Sequence, residues 1–108
     1  MNIETMIVEK TKKYPLYSQE NVALNDKLVL VKLFNAYGSG IWYITEYNPQ
    51  TKVAFGYVEW LVSDSICDEW WYISIEELAN LRSRFNIPMI EVDVHFKQNK
   101  FWDITVRG

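Results

Sequence analysis

Apolar and polar positions along this chain change period several times, and each change marks an element. Ile3, Met6 and Ile7 recur at helical spacing with Lys10 on the same side, which predicts a helix over residues 3–13. Tyr14 and Pro15 end it, because the residue before a proline avoids the helical region. Pro15-Leu16-Tyr17-Ser18-Gln19-Glu20 reads as an ordered loop or a single turn. Leu28 to Phe34 is a short apolar run with β-branched residues, the pattern of a central strand covered on both faces. After a loop permitted by Gly38 and Gly40, Ile41 to Tyr47 and Val53 to Val62 are predicted as the arms of a hairpin. Its connection, Asn48-Pro49-Gln50-Thr51-Lys52, is longer than the tight two-residue type.

Trp70 to Ser74 reads as a strand that runs directly into a helix, with Ser74 and Glu77 spaced as a capping box. Ile75, Leu78, Ala79, Leu81 and Phe85 form its expected apolar stripe, and Asn86 with Pro88 stops it. From Met89 to Phe96 the alternation is strict: Ile90, Val92, Val94 and Phe96 face one way, Glu91, Asp93 and His95 the other. Phe101 to Val106 alternates as well, with Trp102, Ile104 and Val106 inward, and is expected to pair with the preceding strand across Lys97 to Lys100. These elements predict the α+β class: an antiparallel sheet of five or six strands with one or two helices packed on one face, in a single domain spanning residues 1–108.

Composition changes this picture mainly through aromatic weight. Five Trp, seven Tyr and five Phe in 108 residues exceed what one small core needs, so some should reach the surface. The net charge of -3, with Lys10, Lys12 and Lys13 the only local basic group, argues against nucleic acid as a partner through the protein's own surface. A lone Cys67 forms no internal disulfide, and the N-terminus lacks the pattern of a signal peptide. No stretch is long enough to span a membrane, so the expectation is a cytoplasmic protein.

Four ordered segments carry a resemblance: Pro15 to Glu20, Trp42 to Asn48, Phe55 to Val58, and Tyr72 to Leu78. In that order and spacing they resemble an uncharacterised bacterial family of small single-domain proteins, a domain of unknown function, over about residues 10 to 96. Members are associated with mobile elements: conjugative plasmids, integrative elements and phages. The resemblance implies that genomic setting and no established activity, and no catalytic residue comes with it. The chain departs from the family pattern where Trp71 stands in place of a glycine before Tyr72-Ile73-Ser74, and the tail from Phe101 lies outside the resemblance.

Candidate chemistry is sparse. Glu91, Asp93 and His95 are metal-ligating types, but alternate strand residues lie about 7 Å apart, so three cannot share an ion without a bend. Their expected role is a solvated strand face. Asp64, Asp68 and Glu69, placed in a loop around Cys67, lack the ligand offsets and glycine of a calcium loop, and Cys67 has no neighbouring base or cation. No metal and no cofactor is expected. Glu46 and Glu59 lie on opposite arms of the hairpin. Register about a turn near Gln50 places Glu46 opposite Ala54 or Phe55 and Glu59 near Ile41 and Trp42, which excludes a directly opposed dyad. Alternation puts Glu46 on the face of Trp42 and Ile44, partly buried, with Tyr17, Ser18 or a Lys as its expected hydrogen-bond partner. Ser18 suits an N-cap for a turn over residues 19–23, or the loop is itself functional.

The candidate ligand- or partner-binding residues are therefore Tyr17, Ser18 and Glu20 from the loop, and Trp42, Glu46, Glu59 and Trp60 from the hairpin. The leading expectation is a non-enzymatic accessory protein that binds a host or element protein, with counter-defence as its purpose. The alternative is a nucleotide- or sugar-binding module, or a nuclease-like enzyme, using those carboxylates in a pocket floored by Trp42 and Tyr43. A monomer is expected, or a homodimer joined along an uncovered edge strand bearing Trp residues.

Overall fold

In the computed structural model the chain runs α1 (Ile3–Lys10), β1 (Leu28–Val29), β2 (Val31–Asn35), β3 (Ile41–Asn48), β4 (Val53–Val62), β5 (Ser65–Ser74), α2 (Ile75–Ala79), β6 (Ile90–Val92), β7 (Asn99–Lys100) and α3 (Phe101–Thr105). The described residues are 2–62 and 65–105, with backbone alone at 60–62, 65–67 and 105. One antiparallel sheet holds five strands in the order β5-β4-β3-β2-β6, and β1 pairs with β7 in a separate two-stranded sheet. This is an α+β fold.

The apolar alternation of β3 explains how the sheet is covered. Trp42 and Ile44 project to one face, where Ile7 of α1, Ile75 and Leu78 of α2, Leu33, Ile73 and Ile90 close the main core. Each such fully buried aliphatic side chain contributes about 1.5–3 kcal/mol from removal of apolar surface from water. Tyr43 projects to the other face, where Phe101 of α3 meets it with ring centroids 6.4 Å apart and Tyr57 and Trp70 pack alongside. Helices therefore lie on both faces: α1 and α2 on one, the short α3 on the other. No helix of the described residues is long and apolar enough to cross a membrane.

The Ser74 cap forms as the spacing requires, its hydroxyl accepting from the Glu77 amide at 3.2 Å. The helix it starts is much shorter than the expected run to Phe85. The Asn80 amide closes the last turn on the Glu76 carbonyl, with its own Nδ2 donating there as well at 3.0 Å, and the Leu81 amide turns back to the Leu78 carbonyl. The Ser83 hydroxyl then accepts from the Phe85 and Ile87 amides, which a longer helix would give to backbone carbonyls. Asn86 sits at φ 62°, the chain folds back through an Arg82–Pro88 bridge, and Phe85 is left 77% exposed.

The strand expected from Met89 to Phe96 shrinks to Ile90–Val92, because Asp93 turns the chain: its side chain accepts from the His95 amide at 3.0 Å and its carbonyl from Phe96. Asp93 then lies 3.8 Å from Lys32, so Glu91, Asp93 and His95 do not form one strand face. Residues 101–105, expected as a strand, are helical. Phe101 and Ile104 meet the Tyr43 side of the sheet with helical spacing while Trp102 is exposed, and Val106 lies outside the described residues. Asp68 and Glu69, expected in a loop, belong to β5, which begins at Ser65. Asp64 lies outside the described residues.

Candidate functional site

The site begins with an irregularity in β3. Ile44 pairs with Gly56 and Glu46 with Phe55, so Thr45 is an extra residue and the strand carries a β-bulge. The Thr45 hydroxyl donates to the Phe55 carbonyl at 2.9 Å, which holds the bulge to β4. One extra residue exchanges the faces of everything beyond it. Tyr47 joins Ile44 in the main core, and Glu46 turns to the opposite face, beside Phe55. Sequence alternation placed Glu46 with Trp42 and Ile44; the bulge overturns that.

On its actual face Glu46 is 2% exposed, and both of its oxygens are used. Oε1 accepts from the Tyr17 amide and Oε2 from the Gln19 amide, each at 2.9 Å. Buried Gln19 extends the clamp: Nε2 donates to the Leu28 and Thr45 carbonyls, and Oε1 accepts from the Leu28 amide at 2.7 Å. The expected hydrogen-bond partner of Glu46 from the Tyr17 loop is present, but it is backbone rather than a side chain. Successive turns through Ser18, Glu20 and Val22 then carry the chain around the site.

This clamp holds Tyr17 at φ 74°, a left-handed conformation that a bulky non-glycine residue rarely adopts. The strained backbone leaves the ring 55% exposed and edge-on to Tyr72 of β5, with centroids 6.3 Å apart. Tyr72 is itself 45% exposed and edge-on to Phe55 at 5.2 Å. A hydrogen bond with Tyr17 is the largest cause pushing the Tyr72 phenol upward, with the charges of Glu46 and Glu20 adding to it. Beneath the rings, Lys27 is 4% exposed, donates to the Gln19 carbonyl, and places Nζ 5.6 Å from the centre of Phe55. Together these groups bound an open cavity of about 510 Å³, whose remaining wall is the segment from Glu20 to Leu24.

Of the residues singled out from sequence, Tyr17, Glu20 and Glu46 line this cavity. Ser18 is exposed beside it, with its amide turned to the Pro15 carbonyl. Trp42 is buried in the main core on the opposite side of the sheet, and Tyr43 packs against Phe101, so neither floors the cavity. Glu59 pairs with Ile41 and Asp68 at the other end of β4, away from Phe55. The side chain of Trp60 lies outside the described residues. Lys27, Phe55 and Tyr72 are site residues that the sequence reading passed over. Hairpin register already placed Phe55 opposite Glu46, a usable signal; nothing in sequence marks Lys27, a single Lys ahead of an apolar run.

Among the described residues no group of three His, Cys, Asp or Glu side chains is placed to hold a metal ion. The cavity thus offers aromatic edges, an ammonium and one exposed carboxylate, with its buried carboxylate committed to backbone amides. No curated protein and no solved structure matches the chain. Residues 6–104 match the family described as "Protein of unknown function (DUF2958)", and the chain belongs to that family.

Proposed function

We propose that this protein is a non-enzymatic accessory protein of a mobile genetic element that binds a host or element protein in the cytoplasm through the groove between Tyr17 and Tyr72. The observation that carries the reading is the strained backbone of Tyr17, held by Glu46 so that an aromatic ring stays exposed beside Tyr72. Strain of this kind persists only where the surroundings over-determine it, and it clusters at functional sites. Rigid, exposed aromatic residues around a pocket are the usual anchors of protein interfaces. Binding is favoured over catalysis because each Glu46 oxygen is engaged by a backbone amide that holds the loop on the sheet. The mobile-element setting and the counter-defence role rest on the resemblance alone.

Affinity capture from a bacterial lysate tests this, with wild type and Tyr72→Ala as paired baits. A partner retained by wild type and lost from the variant is the expected result. No retained partner, or one indifferent to Tyr72, counts against it. A second reading, a small-ligand module for a nucleotide or sugar, is favoured by the cavity volume of about 510 Å³, which lies in the range of small-molecule sites. A thermal-shift screen of nucleotides, sugars and divalent ions would raise the melting temperature if it held.

A further inference from the structure

Lys27 is the least explained residue of the groove. Burying an ammonium is costly unless it is paired, and buried lysines are accordingly found beside carboxylates or several acceptors. Lys27 has three N–H donors, and one of them meets the Gln19 carbonyl. Among the described residues it has no further hydrogen-bond acceptor and no carboxylate within ion-pairing reach; the ion pairs present are Lys32 with Asp93 and Lys52 with Glu4. Glu46 lies in the same wall but gives both oxygens to the Tyr17 and Gln19 amides. Lys27 also lines the cavity, with its Nζ 5.6 Å from the centre of the Phe55 ring in the same wall. A buried cation short of acceptors, at the base of an aromatic groove, calls for an anionic oxygen from a ligand.

We infer that the groove takes the C-terminal residue of a partner polypeptide, its carboxylate on Lys27 and its apolar side chain between Leu24, Phe55 and Tyr72. The inference rests on the partner-binding reading and names the anchor. Charge and shape select this chemistry. Glu20 and Glu46 in the same walls oppose a dianion such as a phosphate monoester, whereas a single carboxylate matches the single ammonium. An internal Asp or Glu would satisfy Lys27 but leave the apolar walls uncovered. A chain terminus carries a carboxylate and an apolar side chain on one Cα, and a cavity of about 510 Å³ accommodates a residue of that size.

Calorimetric titration of the full chain with three probes tests the inference: an N-acetyl dipeptide ending in phenylalanine, the same dipeptide as its C-terminal amide, and 3-phenylpropionate. The free acid should saturate and the amide should bind at least about tenfold more weakly, the loss expected for a hydrogen bond to a charged group. Lys27→Met, which keeps most of the apolar stem, should erase the difference between acid and amide. Equal binding of acid and amide to wild type, or saturation by neither, overturns the inference without reliance on any variant. A match between 3-phenylpropionate and the dipeptide acid overturns the polypeptide as source. Equal binding of acid and amide while Tyr72→Ala still loses its captured partner removes the carboxylate and leaves the groove reading standing. Preference for the acid with no captured partner upholds the pocket and counts against the partner reading.

Discussion

The Glu46 carboxylate and the Tyr17 amide meet at 2.9 Å across the 29 residues that separate them in sequence, and this contact fixes the loop on the sheet. Because Glu46 also takes the Gln19 amide, a single buried side chain orders two donors that would otherwise be unsatisfied. Glu46→Gln keeps the shape, but its amide group must face one of those donors. The substitution should destabilise the fold by about 2–4 kcal/mol, the sum of a lost charge-assisted bond and a buried unpaired donor. Urea denaturation gives the magnitude, and faster hydrogen exchange at Tyr17 and Gln19 locates it. A change below about 0.5 kcal/mol, the scale of ordinary surface substitutions, would mean that the carboxylate does not hold the loop.

Replacement of Tyr17 separates backbone strain from the side chain. At ordinary positions Gly is less stable than Ala by about 0.5–1 kcal/mol, but at φ 74° the order should invert. Tyr17→Gly is expected to be more stable than Tyr17→Ala by about 1 kcal/mol, while both lose partner binding equally with the ring. Thermal and urea unfolding of the two variants decide it; the usual order of stability would place residue 17 outside the left-handed region.

The same loop shows where sequence is informative and where it stops. Hairpin register was legible, since the short connection from Asn48 to Lys52 fixes which residues oppose one another: Glu46 does face Phe55, and Glu59 does face Ile41. The Ser74 cap was legible because its signal is local. The bulge at Thr45 was not, because an extra residue in one strand leaves the alternation of Trp42, Ile44 and Glu46 unchanged in sequence while exchanging faces in space. Trp42 therefore entered the expected site and Tyr72 stayed outside it. Leu81 and Phe85 failed for another reason: their helical spacing was real, but the Ser83 hydroxyl supplied competing hydrogen bonds to the Phe85 and Ile87 amides. The segment from Phe101 fits either period over so short a run: Trp102, Ile104 and Val106 alternate as in a strand, whereas Phe101 and Ile104 are three apart as on one side of a helix, and it is this second pair that packs with Tyr43 and Tyr57.

Gly56 lies opposite the start of the bulge, and a Cβ there would stand 2.0 Å from the Tyr43 carbonyl oxygen and 3.1 Å from Ile44 Cα. Both are backbone atoms, so no rotamer change relieves the contact. Gly56→Ala should destabilise the protein by about 3 kcal/mol or more, at the upper end for overpacking, and should disturb the Glu46 clamp by moving β3. Unfolding by urea gives the size. A cost under about 1 kcal/mol, near the centre of ordinary point substitutions, would show that β3 and β4 are not so close at this point.

Alkaline pH should unfold the protein through its buried tyrosines. Tyr43 is pushed up from 10.0 to about 12, first by burial and then by Glu59, Tyr57 and Asp68, and burial is also the largest cause raising Tyr47 and Tyr57. A phenol that holds its proton more tightly when folded than when unfolded supports folding fully below the unfolded value. That support is lost as pH rises from 10.0 towards about 12. Urea midpoints measured across this window should therefore fall with pH. Lysine deprotonation contributes to the same window, so the informative quantity is the difference from Tyr43→Phe, which has no phenol to ionise. The variant should lose stability less steeply than wild type between those two values. Identical slopes would show that the Tyr43 proton is not linked to folding.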